Sequence, residues 1–204
     1  MEELYAFIEA CCLDQGIDDS HGMKHAKSCL DWFDTLLIYE NEEISEEEHL
    51  IGTYSIALHD MCDHKYTDVA AAVPKIRDFL VTQIGLEYAD VCIAIITSMS
   101  YSKMRRVNGA IVFPDHGRWQ RVYHLVRHAD LLDAYNVGRC FAYTRHSQPL
   151  ISDETCWNIV QGVFDNRIFK YVSDGCIFLH SAICLILPLE EKARMALAEK
   201  DSSY

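Results

Sequence analysis

The segment SHGMKHAKSCLDWFDTLL, which runs from Ser20 to Leu37, indicates how this chain folds. Its apolar residues recur at alternating spacings of three and four, which places them along one face of an α-helix. These residues are Met23, Ala26, Leu30, Phe33 and Leu37. A neighbouring stripe consists of His25, Cys29, Trp32 and Leu36. We therefore expect His25 on or beside the buried face, and Ser20 is a candidate N-cap for this helix.

The rest of the chain is also predicted to be mainly helical. It contains only nine glycines and four prolines, so long helices are permitted. Helices are predicted at Glu2 to Cys12, Val69 to Thr82, about Trp119 to Tyr135, and from Asp153 to about Glu199. Ser45 followed by Glu48 is a capping-box pattern, and the helix that it opens carries His59 and Asp60 near its end. The sequence thus predicts an all-α helical bundle in one domain, residues 1–204.

Four segments qualify this picture. Pro74 argues against an unbroken helix at Val69 to Thr82. Val91 to Ile96 suits either a strand or a buried helix, and its helical surroundings favour the helix. Arg105 to Trp119 contains Asn108-Gly109, so we expect a loop there that can include a small hairpin. Residues 145–152 are expected to form the loop before the last helical region.

The charge of the chain limits its partners. The formal net charge is -13, from 18 basic and 31 acidic side chains. Such a surface repels nucleic-acid backbones and anionic membranes at long range. It does not exclude a small anionic substrate, because a bound metal ion or a local basic patch can invert the field inside one cleft. We therefore expect a small phosphorylated molecule as partner, and neither nucleic acid nor a membrane.

The cysteines and apolar runs indicate in which cellular compartment the protein is expected. There are nine cysteines, an odd number, and no C-x-x-C pair. This usage favours free thiols in a reducing compartment over a disulfide framework. The N-terminus lacks the features of a signal peptide, and the longest apolar run, Cys176 to Pro188, is too short to cross a bilayer. We therefore expect a soluble cytoplasmic protein.

Histidines and aspartates stand among apolar neighbours at three separate places. They are His25, the pair His59-Asp60, and Asp130. A charged aspartate near a core is costly unless it is paired or bound to a metal ion. Two histidines and two aspartates form a mixed nitrogen and oxygen ligand set that suits a borderline or hard divalent cation. A second ion would need a further pair of histidines between His59 and Asp130. Only His64 follows His59 closely, so we expect a single metal ion.

Four ordered motifs resemble one family. They are S-H-G-M-K-H (Ser20 to His25), I-A-L-H-D-M-C-D-H-K-Y (Ile56 to Tyr66), S-M-S-Y-S-K (Ser98 to Lys103) and A-D-L-L-D-A-Y-N-V-G-R-C-F-A-Y (Ala129 to Tyr143). Their order and content resemble the HD-domain metal-dependent phosphohydrolases, and most closely the bacterial-type HD nucleotide pyrophosphohydrolases. The resemblance covers roughly residues 18–146, and the helices at about 153–199 match only in being helical.

The resemblance implies a fold, a ligand set and a reaction. The fold would be an HD-domain helical bundle, and the ligands would be His25, His59, Asp60 and Asp130, holding one divalent ion such as Mn, Ni, Mg, Co or Fe. The reaction would be cleavage of a nucleoside triphosphate to a nucleoside monophosphate and pyrophosphate.

Hydrolysis of a phosphoanhydride needs a positioned water molecule and positive charge near the phosphates, and further residues can meet these needs. We expect Asp60 or Asp133 to orient the attacking water or accept its proton, and His21 to contact substrate or support the ligands. Three cations are expected near the phosphates, namely Lys65, Lys103 and Arg139.

Two other functions remain open from the sequence. The metal ligands do not choose the bond that is cleaved, so a phosphomonoesterase or phosphodiesterase on the same scaffold is an alternative. The chain also departs from the family pattern. Leu131 stands where a basic residue is usual, His128 stands where an acid is common, and Ser28-Cys29 replace an Arg-Val pair. These departures motivate a third hypothesis, a metal-binding or nucleotide-binding module with little or no turnover.

Overall fold

The structure, a computed structural model, describes residues 1–40 and 43–200 of the chain. The helices are α1 (Glu2–Gln15), α2 (Met23–Glu40), α3 (Glu46–Leu58), α4 (Val69–Ile84), α5 (Leu86–Ile96), α6 (Gln120–Asp133), α7 (Val137–Ser147), α8 (Asp153–Asn166) and α9 (His180–Glu199). Short 3₁₀ turns occur at Tyr101–Lys103, Gly117–Trp119 and Ile168–Lys170. Two three-residue strands, β1 (Arg105–Val107) and β2 (Ala110–Val112), pair antiparallel. The prediction of an all-α bundle is confirmed.

Helices α2, α3 and α6 form the centre of the bundle, and each packs against the other two. Helices α4 and α5 pair with one another, and α5 covers α3. On the other side α7 pairs with α8, while α9 contacts α2 and α6. Buried apolar residues from all nine of these helices form one continuous core cluster. Side chains at the place where these three helices meet are therefore surrounded by the core.

A close approach between α2 and α3 depends on a glycine. A Cβ atom added at Gly52 in α3 would lie 2.1 Å from Cζ of Phe33 in α2. Phe33 is fully buried, so its ring has no open space to move into. Gly52 therefore lets the two helices come close enough to bring their functional residues together.

Several local predictions are confirmed. Ser45 and Glu48 form a complete capping box at the start of α3. Val91 to Ile96 is helical, as the end of α5. The Asn108-Gly109 turn joins β1 to β2, and both of its residues have positive φ, 51° and 84°, as a tight hairpin turn requires. The nine cysteines are all free thiols.

Two predictions about individual helices are wrong. Ser20 does not cap α2, which begins at Met23; its hydroxyl instead contacts the side chains of Asp18 and His21. Pro74 does lie inside the unbroken helix α4. Its missing N–H leaves the carbonyl of Ala70, an exposed residue, without its usual helical partner, and burial of one face of α4 outweighs that loss.

Other boundaries shift modestly. Helix α1 continues to Gln15, where Gly16 in the left-handed conformation ends it. The loop expected at residues 145–152 begins only after Ser147, because α7 extends that far. Helix α7 itself lies in a segment for which the sequence made no separate prediction. Among the described residues, no helix combines the length and the apolar character needed to cross a membrane.

Candidate metal centre

The three central helices bring four predicted ligands to one point. His25 lies on the buried face of α2, and Asp130 lies on α6. His59 and Asp60 follow directly after α3, whose last residue is Leu58. His25, His59 and Asp60 are all buried. Residues more than 100 positions apart thus meet because their helices share one core.

The donor atoms of these side chains lie close together. Nε2 of His25 is 3.2 Å from Nε2 of His59. Oδ2 of Asp60 lies 3.3 and 3.4 Å from these two nitrogens, and Oδ1 of Asp130 lies 3.6 Å from each. Ligands held at about 2.1 Å from one cation are separated by about 3.0 Å at octahedral angles and about 3.4 Å at tetrahedral angles. The observed separations are therefore those of a slightly expanded coordination shell.

Hydrogen bonds fix which ring nitrogens face this point. Nδ1 of His25 is 2.6 Å from Oδ2 of Asp133, and Nδ1 of His59 is 2.6 Å from the carbonyl oxygen of Ile56. A carbonyl or carboxylate oxygen can only accept, so both Nδ1 atoms are the protonated ones. In the neutral rings both Nε2 atoms then carry lone pairs and face each other. Such a carboxylate or carbonyl partner is the usual support of a metal-ligating histidine.

The arrangement attracts positive charge. Oδ2 of Asp60 is buried and, within the described residues, receives no hydrogen bond. Burial lowers the pKa of His59, but the charges of Asp60 and Asp130 outweigh it and raise that pKa to about 9. Burial raises the pKa of Asp60, yet the nearby His59 and His25 hold it well below its usual range. A divalent cation at this point would satisfy all four atoms together, so the residues fit a metal ion.

A cysteine also belongs to this cluster. His25, Cys29, His59 and Asp130 form a largely buried group whose potential ligand atoms lie within 4.8 Å of one another, and this group can hold a metal ion. Sγ of Cys29 is 3.5 Å from Nδ1 and 3.6 Å from Nε2 of His25, so it lies beside the ring rather than beyond its tip. Full burial raises the pKa of this thiol well above its ordinary value. Asp60 is closer to both Nε2 atoms and already ionised, so we consider it the better ligand.

Asp133 does not occupy the place that the sequence predicted for it. Its Oδ2 accepts from His25, its Oδ1 accepts from the Ser28 hydroxyl, and Nε of Arg139 lies 3.0 Å from Oδ2. It is 3% exposed and is not among the residues that line the adjoining cavity. Both oxygens are engaged, so this geometry does not support a water-orienting role. Asp133 instead holds the ring of His25 in place.

His21 is buried in the turn before α2 and lines the cavity. The hydroxyls of Ser20 and Tyr66 each donate to Oδ1 of Asp18 at 2.9 Å. The same two hydroxyl oxygens lie 2.8 and 3.0 Å from Nδ1 of His21. Each hydroxyl donates its single proton to Asp18, so towards His21 it can only accept a hydrogen bond. Nδ1 of His21 is therefore protonated, and its Nε2 is left with a free lone pair.

The charge state of His21 follows from its surroundings. Burial lowers its pKa to about 4, and the positive charges of Arg139 and Lys65 act in the same direction, against the opposing effect of Asp60. The ring is therefore neutral near pH 7. Its tautomer leaves Nε2 as a proton acceptor.

One cavity of about 270 Å³ adjoins the cluster. Its lining includes His59, Asp60 and Asp130, together with His21, Lys65 and Arg139. Lys65 is 38% exposed and lies 3.5 Å from Asp63, and Arg139 is the residue that contacts Asp133. Lys103 is exposed and is not part of this lining, so no contact among the described residues supports the role predicted for it.

Sequence reasoning missed three residues near the centre. Cys29 was interpreted only as part of an apolar stripe, although its position four residues after His25 places it on the same helix face. Asp18 stands in the short stretch before α2, and nothing in the sequence links it to Tyr66. Arg167, which lines the adjoining cavity, lies in a region that the motifs do not cover.

Comparison with protein-family models, with curated proteins and with solved structures finds no match to this chain. We therefore infer the function from the geometry of the site.

Proposed function

We propose that this protein is a divalent-metal-dependent phosphohydrolase of the HD-domain type, which cleaves nucleoside triphosphates to a nucleoside monophosphate and pyrophosphate. One observation carries the proposal. The Nε2 atoms of two histidines and two carboxylate oxygens lie within 3.2 to 3.6 Å of one another, in a buried place beside a cavity. Without a bound cation, a proton on His59 offsets the charges of the two carboxylates, which raise its pKa to about 9, and a divalent cation would replace that proton.

The proposed ligands are His25, His59, Asp60 and Asp130, and they would hold one ion. Two nitrogens and two oxygens suit Mn, Fe, Co or Ni, and Mg to a lesser degree because it prefers oxygen. When bound, the ion would supply Lewis acidity, which lowers the pKa of a water molecule and polarises a phosphoryl oxygen.

The chain's own residues would perform the remaining steps. Nε2 of His21, unprotonated near neutral pH, accepts a proton or a hydrogen bond from the attacking water. Lys65 and Arg139 place positive charge along the wall of the cavity, where they would offset the charge of phosphate oxygens. Asp60 borders both the cluster and the cavity, so it can orient the water as well as bind the ion.

A specific observation favours a second candidate, hydrolysis of a phosphate monoester or diester. A triphosphate carries several negative charges, but Arg139 already contacts Asp133, Lys65 already pairs with Asp63, and Lys103 lies outside the cavity lining. A substrate with a single phosphate group requires fewer cations. The products distinguish the two candidates, since the first releases pyrophosphate and the second releases inorganic phosphate or opens a diester.

A substrate panel tests the proposal. Purified protein loaded in turn with Mn, Ni, Co and Mg is assayed on nucleoside triphosphates, nucleoside monophosphates and phosphodiesters, and bound metal is measured by elemental analysis. We expect about one equivalent of metal and pyrophosphate from a nucleoside triphosphate. Asp60→Ala should lose both metal and activity, since it removes a ligand and a water-orienting carboxylate together.

The matched control is Asp78→Ala, which removes a carboxylate from an exposed position on α4. It should keep both properties. Two equivalents of tightly held metal would reject the single-ion site. Metal-loaded protein that binds nucleotide and releases no product would reject the proposed reaction in favour of the binding module.

A further inference from the structure

The lining of the cavity beside the metal centre has two chemically different parts. The part described above contains the cluster and the polar side chains. The other part is an aliphatic wall, which consists of Leu131, Ala134, Ile159, Val160, Val163 and Ile168. Leu131 lies on α6 and Ala134 directly after it, and the other four, from α8 and the 3₁₀ turn that follows it, define what we call the α8 end.

The aliphatic wall begins directly beside the cluster. Leu131 follows Asp130 in the chain, and Ala134 follows one turn later. Ile159 and Val163 are one turn apart on α8, so they present one continuous strip to the cavity. A phosphate group held at the cluster therefore has apolar surface within reach of whatever is attached to it.

A flat cationic surface completes this end. The guanidinium of Arg167 lies 4.0 Å from the ring centroid of Tyr101, and its Nε donates to the hydroxyl of Tyr171 at 3.0 Å. All three side chains line the cavity. The face of a guanidinium can pack against a ring or a chain, while its N–H groups bind anions at the edge.

From these contacts we propose that the substrate is an organic phosphate whose phosphate-bearing group is attached to a hydrophobic chain or flat ring, and that this hydrophobic part occupies the α8 end of the cavity. The inference depends on the proposed function, because it places the phosphate at the metal centre. The strength of binding then comes from the hydrophobic part of the substrate, which contacts the half-buried Ile159 and Val163.

Burial of apolar surface predicts how affinity depends on the ligand. Each methylene group transferred from water into an apolar site strengthens binding roughly threefold to fourfold. Within the length of the cavity, affinity should therefore rise stepwise along a series from methyl to hexyl phosphate. Phenyl phosphate should bind more tightly than methyl phosphate for the same reason.

The test measures binding by calorimetry with Mn-loaded protein, using inorganic phosphate and the alkyl phosphate series as probes. Val163→Trp and Ile159→Phe each fill the apolar end without touching a proposed metal ligand. Val172→Trp is the matched control, because Val172 is 40% exposed and does not line the cavity. Circular dichroism and metal content identify which filled variant is folded and loaded.

The inference is supported if inorganic phosphate binds all folded variants alike, while the gain along the alkyl series is present in the wild type and Val172→Trp and absent from a filled variant. Equal affinity for all alkyl phosphates in the wild type overturns it and leaves the proposed function intact. The same chain-length gain in the filled variants also overturns it, because the hydrophobic part would lie elsewhere. Failure of inorganic phosphate to bind the metal-loaded wild type overturns both proposals.

Discussion

His25 and Asp133 lie 108 positions apart in the chain, yet Nδ1 of His25 is only 2.6 Å from Oδ2 of Asp133. The hydrogen bond fixes the tautomer of the histidine and aims its Nε2 at His59 and the two carboxylates. A carboxylate in this position also increases the basicity of the ring. The position of the proposed ligand His25 is thus set by a residue that does not reach the cluster itself.

Asp133→Asn should weaken metal binding while the fold is retained. The amide is nearly the same size as the carboxylate but carries no charge, so it orients His25 less firmly. We expect metal affinity to fall by about 10- to 100-fold, the usual effect of losing such a support. Competition with a chelator of known affinity measures it. Ser28→Ala, which removes only one donor to Asp133, should have a smaller effect, and an unchanged affinity in Asp133→Asn would contradict the assignment.

Cobalt distinguishes Asp60 from Cys29 as the fourth ligand. A thiolate bound to cobalt(II) gives an intense near-ultraviolet charge-transfer band, whereas imidazole and carboxylate ligands give none. Because the thiol of Cys29 lies beside the ring of His25 and burial raises its pKa well above the usual value, we expect no such band.

Cys29→Ala should accordingly retain bound cobalt, as should the control Cys92→Ala, whose buried thiol contacts the carbonyl oxygen of Ile51. A strong band in the wild type that survives in Cys92→Ala and disappears in Cys29→Ala would identify Cys29 as a ligand.

Asp18→Asn should disturb the tautomer of His21. Oδ1 of Asp18 accepts the hydroxyls of Ser20 and Tyr66, and Oδ2 accepts the backbone N–H of Ser20, whereas an amide can accept on only one of these two sides. When the amide oxygen faces the Ser20 N–H, the hydroxyls face an NH2 group and are free to donate to Nδ1 of His21. We expect nitrogen chemical shifts of the imidazole to show Nδ1–H in the wild type and a mixture of tautomers in the variant.

Turnover should change with the tautomer. If Nε2 of His21 accepts a proton during the reaction, kcat falls by about tenfold or more in Asp18→Asn with little change in KM. Tyr66→Phe leaves the Ser20 contact intact and should have a milder effect. A pure Nδ1–H signal retained in Asp18→Asn would refute the hydrogen-bond argument independently of any activity.

Gly52→Ala should destabilise the fold strongly. Its Cβ would lie 2.1 Å from the fully buried ring of Phe33, so either α2 and α3 separate or the ring leaves its place. We expect the free energy of unfolding to fall by about 3 kcal/mol, at the upper end for overpacked cores. In Gly162→Ala the nearest atom would be 4.0 Å away, so the same change there should stabilise α8 by up to about 1 kcal/mol. Urea denaturation measures both, and equal effects would contradict the described packing.

His128 should make the protein sensitive to mild acid. Nδ1 donates to the carbonyl oxygen of His124, and Nε2 accepts from the backbone N–H groups of Phe178 and Leu179, just before α9. Burial, reinforced by the charge of Arg127, holds its pKa well below the usual value. The folded state keeps the ring neutral, while the unfolded state takes up a proton below a pH of about 6.5.

The stabilising contribution of neutral His128 is fully present above a pH of about 6.5 and is lost as the pH falls, with a slope of at most about 1.4 kcal/mol per pH unit for this residue. His128→Gln keeps an acceptor for the two N–H groups and does not titrate, so its unfolding free energy should fall less steeply between pH ~7 and ~5. The control is His64→Gln, at a residue whose side chain is 63% exposed. Parallel slopes for wild type and His128→Gln would argue against a neutral buried His128.

Much of the candidate site could be predicted because its residues lie on strongly patterned helices. The three-and-four spacing of α2 fixes which residues face inward, so it places His25 on the buried side. The capping box of Ser45 and Glu48 starts α3 and so sets where His59 and Asp60 stand at its end. Both are local effects that propensity and periodicity control. The role expected for Lys103 could not be judged in this way, because reach into a cavity depends on the path of a loop.

By itself the sequence determined the helical class and the inward placement of His25, because these depend on hydrogen bonding within a few residues and on burial of one helix face. Only the tertiary structure decided that Asp133 supports His25, that Asp18 and Tyr66 act together on His21, and that Cys29 lies beside the cluster. These contacts require the helices to meet at particular depths and rotations. That geometry arises from the packing of side chains distant in the chain, such as Phe33 against Gly52, which no local pattern encodes.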